Sequence, residues 1–320
     1  MTFINWNSLR NPVFQHENWS VKDACMAYED GFFFLSFSAF YRDRVRTRSH
    51  LAAVTTKDWK HFSKPLFNMR GKGDGWTGLC SPNITKIGDL WYLTFNSWGN
   101  RHKNRRTNDL FYMTSRDLMH WSDRKQIARN LTEDIRTIDI AIAYENNKFY
   151  AIWKDRDHKR VKKTDRARIA TCESLDGDFK YINNGYMKFY DRTGNEPKQT
   201  HENFEFIKID GTWYLLTTDY RPHRPHLYKI GGDGYGAHDT DWLRWEEGYE
   251  IKIKEQSFNT HHLSNAAFLA DWREYDGYFY LIYAGNTEGR SHARRGDNKL
   301  GLARSKSLEN FMVLATGHTK

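Results

Sequence analysis

The sequence predicts an all-β chain folded as a five-bladed β-propeller, each blade a four-stranded antiparallel meander. Three observations carry that expectation: one aromatic strand recurs five times, every copy sits inside the same strand pattern, and no helix separates the copies. The aromatic strands are GFFFLSFSAF from Gly31, DLWYLTFNSW from Asp89, NKFYAIWKD from Asn147, GTWYLLTTDY from Gly211 and GYFYLIYAG from Gly277, at steps of 58, 58, 64 and 66 residues. Repeats of this length that cannot bury their apolar faces alone are expected to pack against one another around an axis.

Each element follows from its residues. Ahead of every aromatic strand lies a shorter apolar strand and a turn: MAYEDG, ITKIGD, IAYENN, FIKIDG and the longer FLADWREYDG. Gly, Asn and Asp at these junctions fit tight hairpins. After it come a polar loop and a third strand with a distinctive tail, reading AAVTTKDWKHF, FYMTSRDLMHW, IATCESLDGDFKY, YKIGGDGYGAHDTDWLRW and LARSKSLENFMVL. The unit is strand, turn, aromatic strand, loop, strand, Asp-rich turn and outer strand. Blades are expected at about 18–68, 76–130, 135–188, 198–254 and 258–316, forming one domain over 1–320, with residues 1–12 helping to close the ring. A β-sandwich or a pair of meander domains would not need such even spacing.

Bulk properties narrow the class. The chain has 320 residues, enough for a substantial core without staples, and aromatic residues make up 16% of it. No apolar run approaches bilayer length, so no membrane partner is expected. The N-terminus MTFINWNSLRNPVF lacks a basic segment followed by an apolar one, which predicts a cytoplasmic protein, or one exported with a signal absent from this chain. Cys25, Cys80 and Cys172 are odd in number and in no metal-ligand spacing, so packing is their expected role.

Chemistry is expected where the innermost strands begin. In a propeller these strands line a central channel and run in one direction, so their N-terminal ends meet at one mouth. Counted back from the aromatic strands, Asp23 lies twelve residues before Leu35, Ser81 twelve before Leu93, Asp139 thirteen before Ile152 and Glu202 thirteen before Leu215. Three of these four positions are carboxylates. The fifth blade offers His261 and His262 in the corresponding neighbourhood. Asp is also a common turn former at strand starts, but agreement among repeats points to a funnel lined with acid. Crowded carboxylates repel, so at least one is expected to hold a proton near neutrality. That division of labour is what glycosidic-bond hydrolysis needs. Glu205 is expected to be a supporting or rim residue on the other side of its strand.

These motifs resemble the five-bladed propeller glycoside hydrolases of family 43 and, more distantly, the fructan enzymes of families 32 and 68. DACMAYEDGFFFL is similar to their first-blade motif, SPNITKIGDLWYL to the second, IDIAIAYENNKFY to the strand with the third-blade Asp, and ENFEFIKIDGTWYL to the strand with the general acid. The resemblance implies Asp23 as base or nucleophile, Asp139 as the residue that orients substrate and tunes the acid, and Glu202 as proton donor. Departures are Ala24 where Pro is usual, Asn203-Phe204 where a small residue and Pro are usual, and THHLSN in the fifth blade. No cofactor is expected. The last departure weighs against the central calcium that some members of the family hold.

The net charge of +9 has a location. The loops after the second strands, 41–50, 99–109, 154–168, 221–226 and 285–299, hold 22 Lys or Arg against 7 acids. A cationic rim raises the local concentration of anionic substrate, and Arg offers a fork for carboxylate or sulfate. An acidic carbohydrate is therefore the expected substrate. Arg42, Arg44, Arg101, His102, Arg156, Arg221, His223 and His292 are the candidate rim contacts, with His50, His158 and His226 beside them. Trp76, Trp98, Trp153 and Tyr220 are candidate platforms for sugar faces, and Ser81, Asn83, His201, His261 and His262 complete the candidate binding set. Nucleic acid is disfavoured, because the chain has no recognised nucleic-acid motif and central acids repel phosphate. The expected activity is an inverting, exo-acting glycoside hydrolase on a uronate- or sulfate-bearing glycan. Alternatives are a phosphorylase whose basic loops take phosphate, and a non-catalytic glycan-binding propeller. The sequence does not specify the oligomeric state.

Overall fold

The computed structural model describes residues 3–71, 76–99, 108–133, 135–156, 166–197, 200–219, 223–287 and 293–317, without the side chains of Arg156, His262 and Leu263. Blade one comprises β1 (Ser20–Glu29), β2 (Phe32–Arg42), β3 (Thr47–Thr56) and β4 (Phe67–Arg70). Blade two comprises β5 (Gly78–Ile87), β6 (Leu90–Trp98), β7 (Leu110–Ser115) and β8 (Lys125–Ile127). Blade three comprises β9 (Arg136–Glu145), β10 (Lys148–Arg156), β11 (Arg166–Cys172) and β12 (Lys180–Tyr186). The chain then runs through β13 (Lys188–Asp191) into blade four, β14 (His201–Ile209), β15 (Thr212–Asp219), β16 (Pro225–Ile230) and β17 (Arg244–Glu250). Blade five comprises β18 (His262–Trp272), β19 (Tyr278–Asn286), β20 (Lys299–Ser305) and β21 (Met312–Val313).

Within every blade successive strands pair antiparallel in chain order. Blade four departs from the expected simple meander, because β13 pairs parallel with β17 and gives that sheet a fifth strand on its outer edge.

The inner strands contact one another in a closed cycle: β1 with β5, β5 with β9, β9 with β14, β14 with β18, and β18 with β1. This is the five-bladed propeller that the repeats predict. Apolar side chains fill every joint between blades. One cluster spans blades five, one and two, and three others fill the junctions of two with three, three with four, and four with five. The second strands are aromatic throughout because both of their faces meet a neighbouring blade: Phe33 to Phe40 of β2 are all buried. Blades three and four meet through Tyr150 stacked on Trp242 at 4.0 Å.

Residues before the first blade fasten it to the last. Asn11 and Thr316 form a parallel bridge, and the fully buried Asn11 side chain donates to the Leu302 carbonyl at 3.1 Å while accepting from its N–H at 2.9 Å. The Asp-rich tails are repeated turns. Asp58 accepts from the N–H groups of Lys60 and His61, and Asp117 accepts in the same way from Met119 and His120. The three cysteines are buried free thiols.

Candidate active site

Every inner strand carries the same irregularity near its start. In β1, Lys22 pairs with Ser38 and Cys25 with Ser36, so Asp23 and Ala24 bulge opposite the single residue Phe37. The equivalent bulges begin at Ser81, Asp139, Asn203 and Ala266. All five leading residues are left-handed, with φ of 52°, 54°, 61°, 53° and 48°. A non-glycine residue there costs about 1–2 kcal/mol, least for Asp and Asn. A bulge re-aims a side chain that ordinary alternation would send elsewhere. The acid at the strand start is thus a residue that tolerates this twist and points into the channel.

The register corrects the sequence alignment. Asp23 and Asp139 are equivalent, but the fourth-blade counterpart is Asn203, and Glu202 stands one residue nearer the mouth, in register with Lys22. Counting back from the aromatic strand could not see the bulge. The three carboxylates nonetheless share one buried site, because two lysines join them. Lys22 Nζ lies 2.9 Å from Asp23 Oδ1. Lys154 Nζ lies 2.5 Å from Glu202 Oε2 and 3.9 Å from Asp139 Oδ2.

Hydrogen bonds set the first acid in place. Ser38 Oγ donates to Asp23 Oδ2 at 2.8 Å and accepts from the Ser81 N–H at 2.8 Å, which ties blade one to the bulge of blade two. Asn203 Nδ2 donates to Asp23 Oδ1 at 3.1 Å from across the channel. Asn96, in register with Ser38, accepts from the Asp139 N–H at 2.8 Å and repeats the same tie one blade on. In blade three that register position is Lys154.

The charges divide the carboxyls. Burial pushes Asp139 up, Lys154 opposes it, and Glu202 and Asp23 add to the rise, so Asp139 lies above the ordinary carboxylate range. Burial also pushes Glu202 up, but Lys154 and Lys22 outweigh it, with His223 assisting, and hold it below its ordinary value. The raised carboxyl is Asp139, and Glu202 is held ionised by the ammonium against it. Burial lowers Lys22, but Asp23, Glu202 and Asp139 more than reverse this, so it stays charged.

Deeper in the channel, Glu205 is buried and accepts from the Leu269 N–H at 2.8 Å, so it is a supporting residue and not a rim residue. The bulge restores it to the channel side, and burial raises it well above the usual range. Asn83 Nδ2 donates to the Phe204 carbonyl at 3.1 Å, a tie across the channel. A cavity of about 20 Å³ lies between Asp23, Ser81, Asn83, Asp139, Asn203 and Ala266, room for about one water. A hard cation such as calcium takes six to eight oxygens. Below the carboxylates the register positions after the bulges are Cys25, Asn83, Ala141, Glu205 and Phe268, which do not fit that requirement. Among the described residues no cluster of three His, Cys, Asp or Glu is arranged to hold a metal.

The remaining expected residues divide. Trp153 has no exposed surface and faces the bulge as Phe37 and Phe95 do, so it packs and is not a platform. Trp76 is likewise core, edge-on to Phe111 at 5.8 Å. Trp98 is half-buried at the mouth end of β6, beside Phe40. His201 is buried against Phe189 at 4.3 Å, and burial holds it at about 3, hence neutral. It lines a cleft of about 400 Å³ with Arg166, Tyr186, Lys188, Glu196 and Thr200. His50 is buried and bonded to Tyr41, not a rim donor. Arg42, Arg44 and His261 are exposed, and His223 is half-buried near Glu202. Arg101, His102, Tyr220, Arg221 and His292 lie outside the described residues, as do the side chains of Arg156 and His262. Four cations counted in the third loop are strand residues, Lys154, Arg156, Arg166 and Arg168: Lys154 lies in the site, and Arg168 between Tyr181 and Tyr186 at 4.0 and 4.1 Å. A cavity of about 790 Å³ around Lys148, Cys172 and Asp239 opens at the other end of the blades, away from the carboxylates.

Sequence reasoning missed Lys22, Lys154, Ser38 and Asn96. Lys154 had a signal, the first charge after the apolar run FYAIW.

No protein-family model matches the chain, and no curated protein matches it in sequence. Solved structures do match in fold. An α-L-arabinofuranosidase from Lactobacillus brevis superposes with a TM-score of 0.66 at 12% identity over 93% of this chain and 94% of its own. A family-43 β-xylosidase/α-arabinofuranosidase from a compost microbial metagenome gives 0.63 at 15% identity over 97% and 98%. An exo-1,5-α-L-arabinanase from a bovine ruminal metagenomic library gives 0.56 at 15% identity over 91% and 95%.

Proposed function

We propose that this propeller is a glycoside hydrolase acting with inversion, in exo fashion, on a uronate- or sulfate-bearing glycan. The observation that carries the reading is the meeting of Asp23, Asp139 and Glu202, from three blades, in one buried network at the start of the inner strands. The neighbours' names, all glycosidases, support cleavage of a glycosidic bond; identities of 12–15% transfer no sugar.

In this reading Glu202 gives its proton to the glycosidic oxygen as the bond from the anomeric carbon breaks. Water attacks that carbon from the opposite face and loses its proton to Asp23, whose carboxylate is aimed by Ser38 and Asn203. Asp139 orients the sugar and shares Lys154 with the acid. The exposed Arg42 and Arg44, and the cationic loops in the sequence, support an anionic substrate. A specific feature favours phosphorolysis as the second reading: Lys22 and Lys154 place two ammonium groups where inorganic phosphate would have to enter.

The test is a panel of uronate and sulfated oligosaccharides, with products followed by proton NMR. Release of a sugar of inverted anomeric configuration, independent of phosphate, is expected. Glu202→Gln should lower turnover about 10²- to 10⁴-fold on poor leaving groups while binding persists. Normal turnover by that variant removes Glu202 from the role of acid, and strict phosphate dependence selects the second reading.

A further inference from the structure

A proton donor must carry a proton when substrate arrives, yet the Glu202 carboxylate lies 2.5 Å from a buried ammonium. We propose that Lys154 is a charge gate at the funnel floor: an anionic substituent of the substrate, best fitted by a uronate carboxylate, draws its ammonium off Glu202 and so lets Glu202 take up the proton it donates. The inference rests on the hydrolase reading of the same site and names the group that selects the substrate there.

Register shows that Lys154 is not simply a packing solution. At the same position Ser38 and Asn96 accept a hydrogen bond from the backbone N–H of the next blade's bulge, at 2.8 Å in each case. Lysine cannot accept, so blade three gives up this tie and sends a cation to the next blade's Glu202 instead. A long flexible stem with three donors can exchange partners, which the short Ser and Asn side chains cannot. The groups facing Glu202 are Lys154 from β10, Lys22 from β1, Asp139 from β9 and His223 beyond β15. When the Lys154 ammonium leaves, Asp139 loses a positive neighbour with Glu202, and burial then favours the protonated form of both. Lys22 remains bound to Asp23, so the base keeps its ion pair while the acid is armed. A neutral sugar offers only uncharged hydroxyl acceptors, which compete weakly with a carboxylate for the ammonium.

The experiment follows the Glu202 carboxyl carbon by NMR in protein labelled at glutamate, with Glu202→Gln supplying the assignment. Galacturonate and glucuronate are the probes, galactose and glucose their neutral controls. In the wild type a saturating uronate should move the Glu202 titration midpoint up by at least one pH unit, a tenfold lower proton concentration, and the neutral sugars should leave it in place. Lys154→Met should show the raised midpoint without ligand and no further response, and Lys154→Arg should keep it low. Equal movement by uronate and neutral sugar in the wild type overturns the proposal, and that comparison needs no variant to fold. A response to inorganic phosphate but not to uronate also overturns it and favours phosphorolysis. If the uronate response is present but no glycoside is cleaved, the hydrolase reading fails and the gate stands.

Discussion

Ser38 is the joint on which the first-blade acid turns, and Ser38→Ala tests the site through stability and rate together. Its hydroxyl has no exposed surface, donates to Asp23 Oδ2 and accepts from the Ser81 N–H, both at 2.8 Å. Truncation leaves a buried N–H without its acceptor, which costs about 1–3 kcal/mol, and removes one hydrogen bond to a carboxylate, worth about 1.5–3 kcal/mol. Asp23 retains Asn203 and Lys22, so part of the second loss is recovered. A net destabilisation of about 2–3 kcal/mol is expected. At roughly 2 cal/mol/K of unfolding entropy per residue, a chain of this length should melt about 3–5 °C lower. In the proposed mechanism turnover should fall about tenfold or more, because the Asp23 carboxylate loses one of the three contacts that aim it at the attacking water. The control is Ser36→Ala, equally buried but donating only to the Ala52 carbonyl at 3.1 Å. Thermal melts and kcat/KM on the same preparations decide the matter. If the two variants melt alike and Ser38→Ala turns over at the wild-type rate, the relay from Ser81 to Asp23 does not position the acid.

Glu205 supplies a test by pH. Its folded value is raised by burial, so its contribution to stability is complete below the ordinary glutamate range and is lost as pH rises through the folded value. Glu205→Gln cannot ionise and can still accept from the Leu269 N–H, so in urea titrations it should gain on the wild type as pH rises above the ordinary glutamate range; parallel pH profiles would show that Glu205 does not resist ionisation. Trp153→Ala should destabilise by about 3–5 kcal/mol, as expected of a fully buried indole. Trp98→Ala should leave the melt nearly unchanged and raise KM; the reverse pattern would return Trp153 to the substrate. Raising salt should raise KM for an anionic glycan and spare a neutral one, since exposed Arg42 and Arg44 act through screened fields, and a KM that does not respond would remove the rim from substrate capture.

The sequence is most informative where one physical requirement repeats. A strand covered on both faces must be apolar at every position, and five such runs at even spacing are visible without coordinates. The Asp-rich turns are legible for the same reason. What escaped is register. A bulge adds one residue to a strand without any fixed residue type, since Asp, Ser, Asn and Ala all occupy it here, so counting aligned Glu202 with residues one step out of line. The same shift hid Glu205, which alternation placed outside the channel. Trp153 misled because an aromatic near a strand end reads as a platform, whereas its place opposite the bulge makes it the counterpart of Phe37 and Phe95.

The one-residue offset bears on the chemistry. Asp23 and Asp139 leave left-handed residues at one level of the funnel, while Glu202 leaves an extended residue one step nearer the mouth. Three carboxylates at a single level would face the channel equivalently and share one fate. The offset instead leaves room at that level for Asn203, which holds Asp23, and sets Glu202 within reach of Lys154 from the neighbouring blade. Asp23 is thereby paired with Lys22 and Glu202 with Lys154, while Asp139, 3.9 Å from Lys154, takes the rise in pKa that burial imposes. Each buried ammonium costs desolvation, which the carboxylates around the pair offset. In the proposed reading an anionic substrate meets cations already compensated by internal carboxylates, and Lys154 changes partners when a competing carboxylate enters.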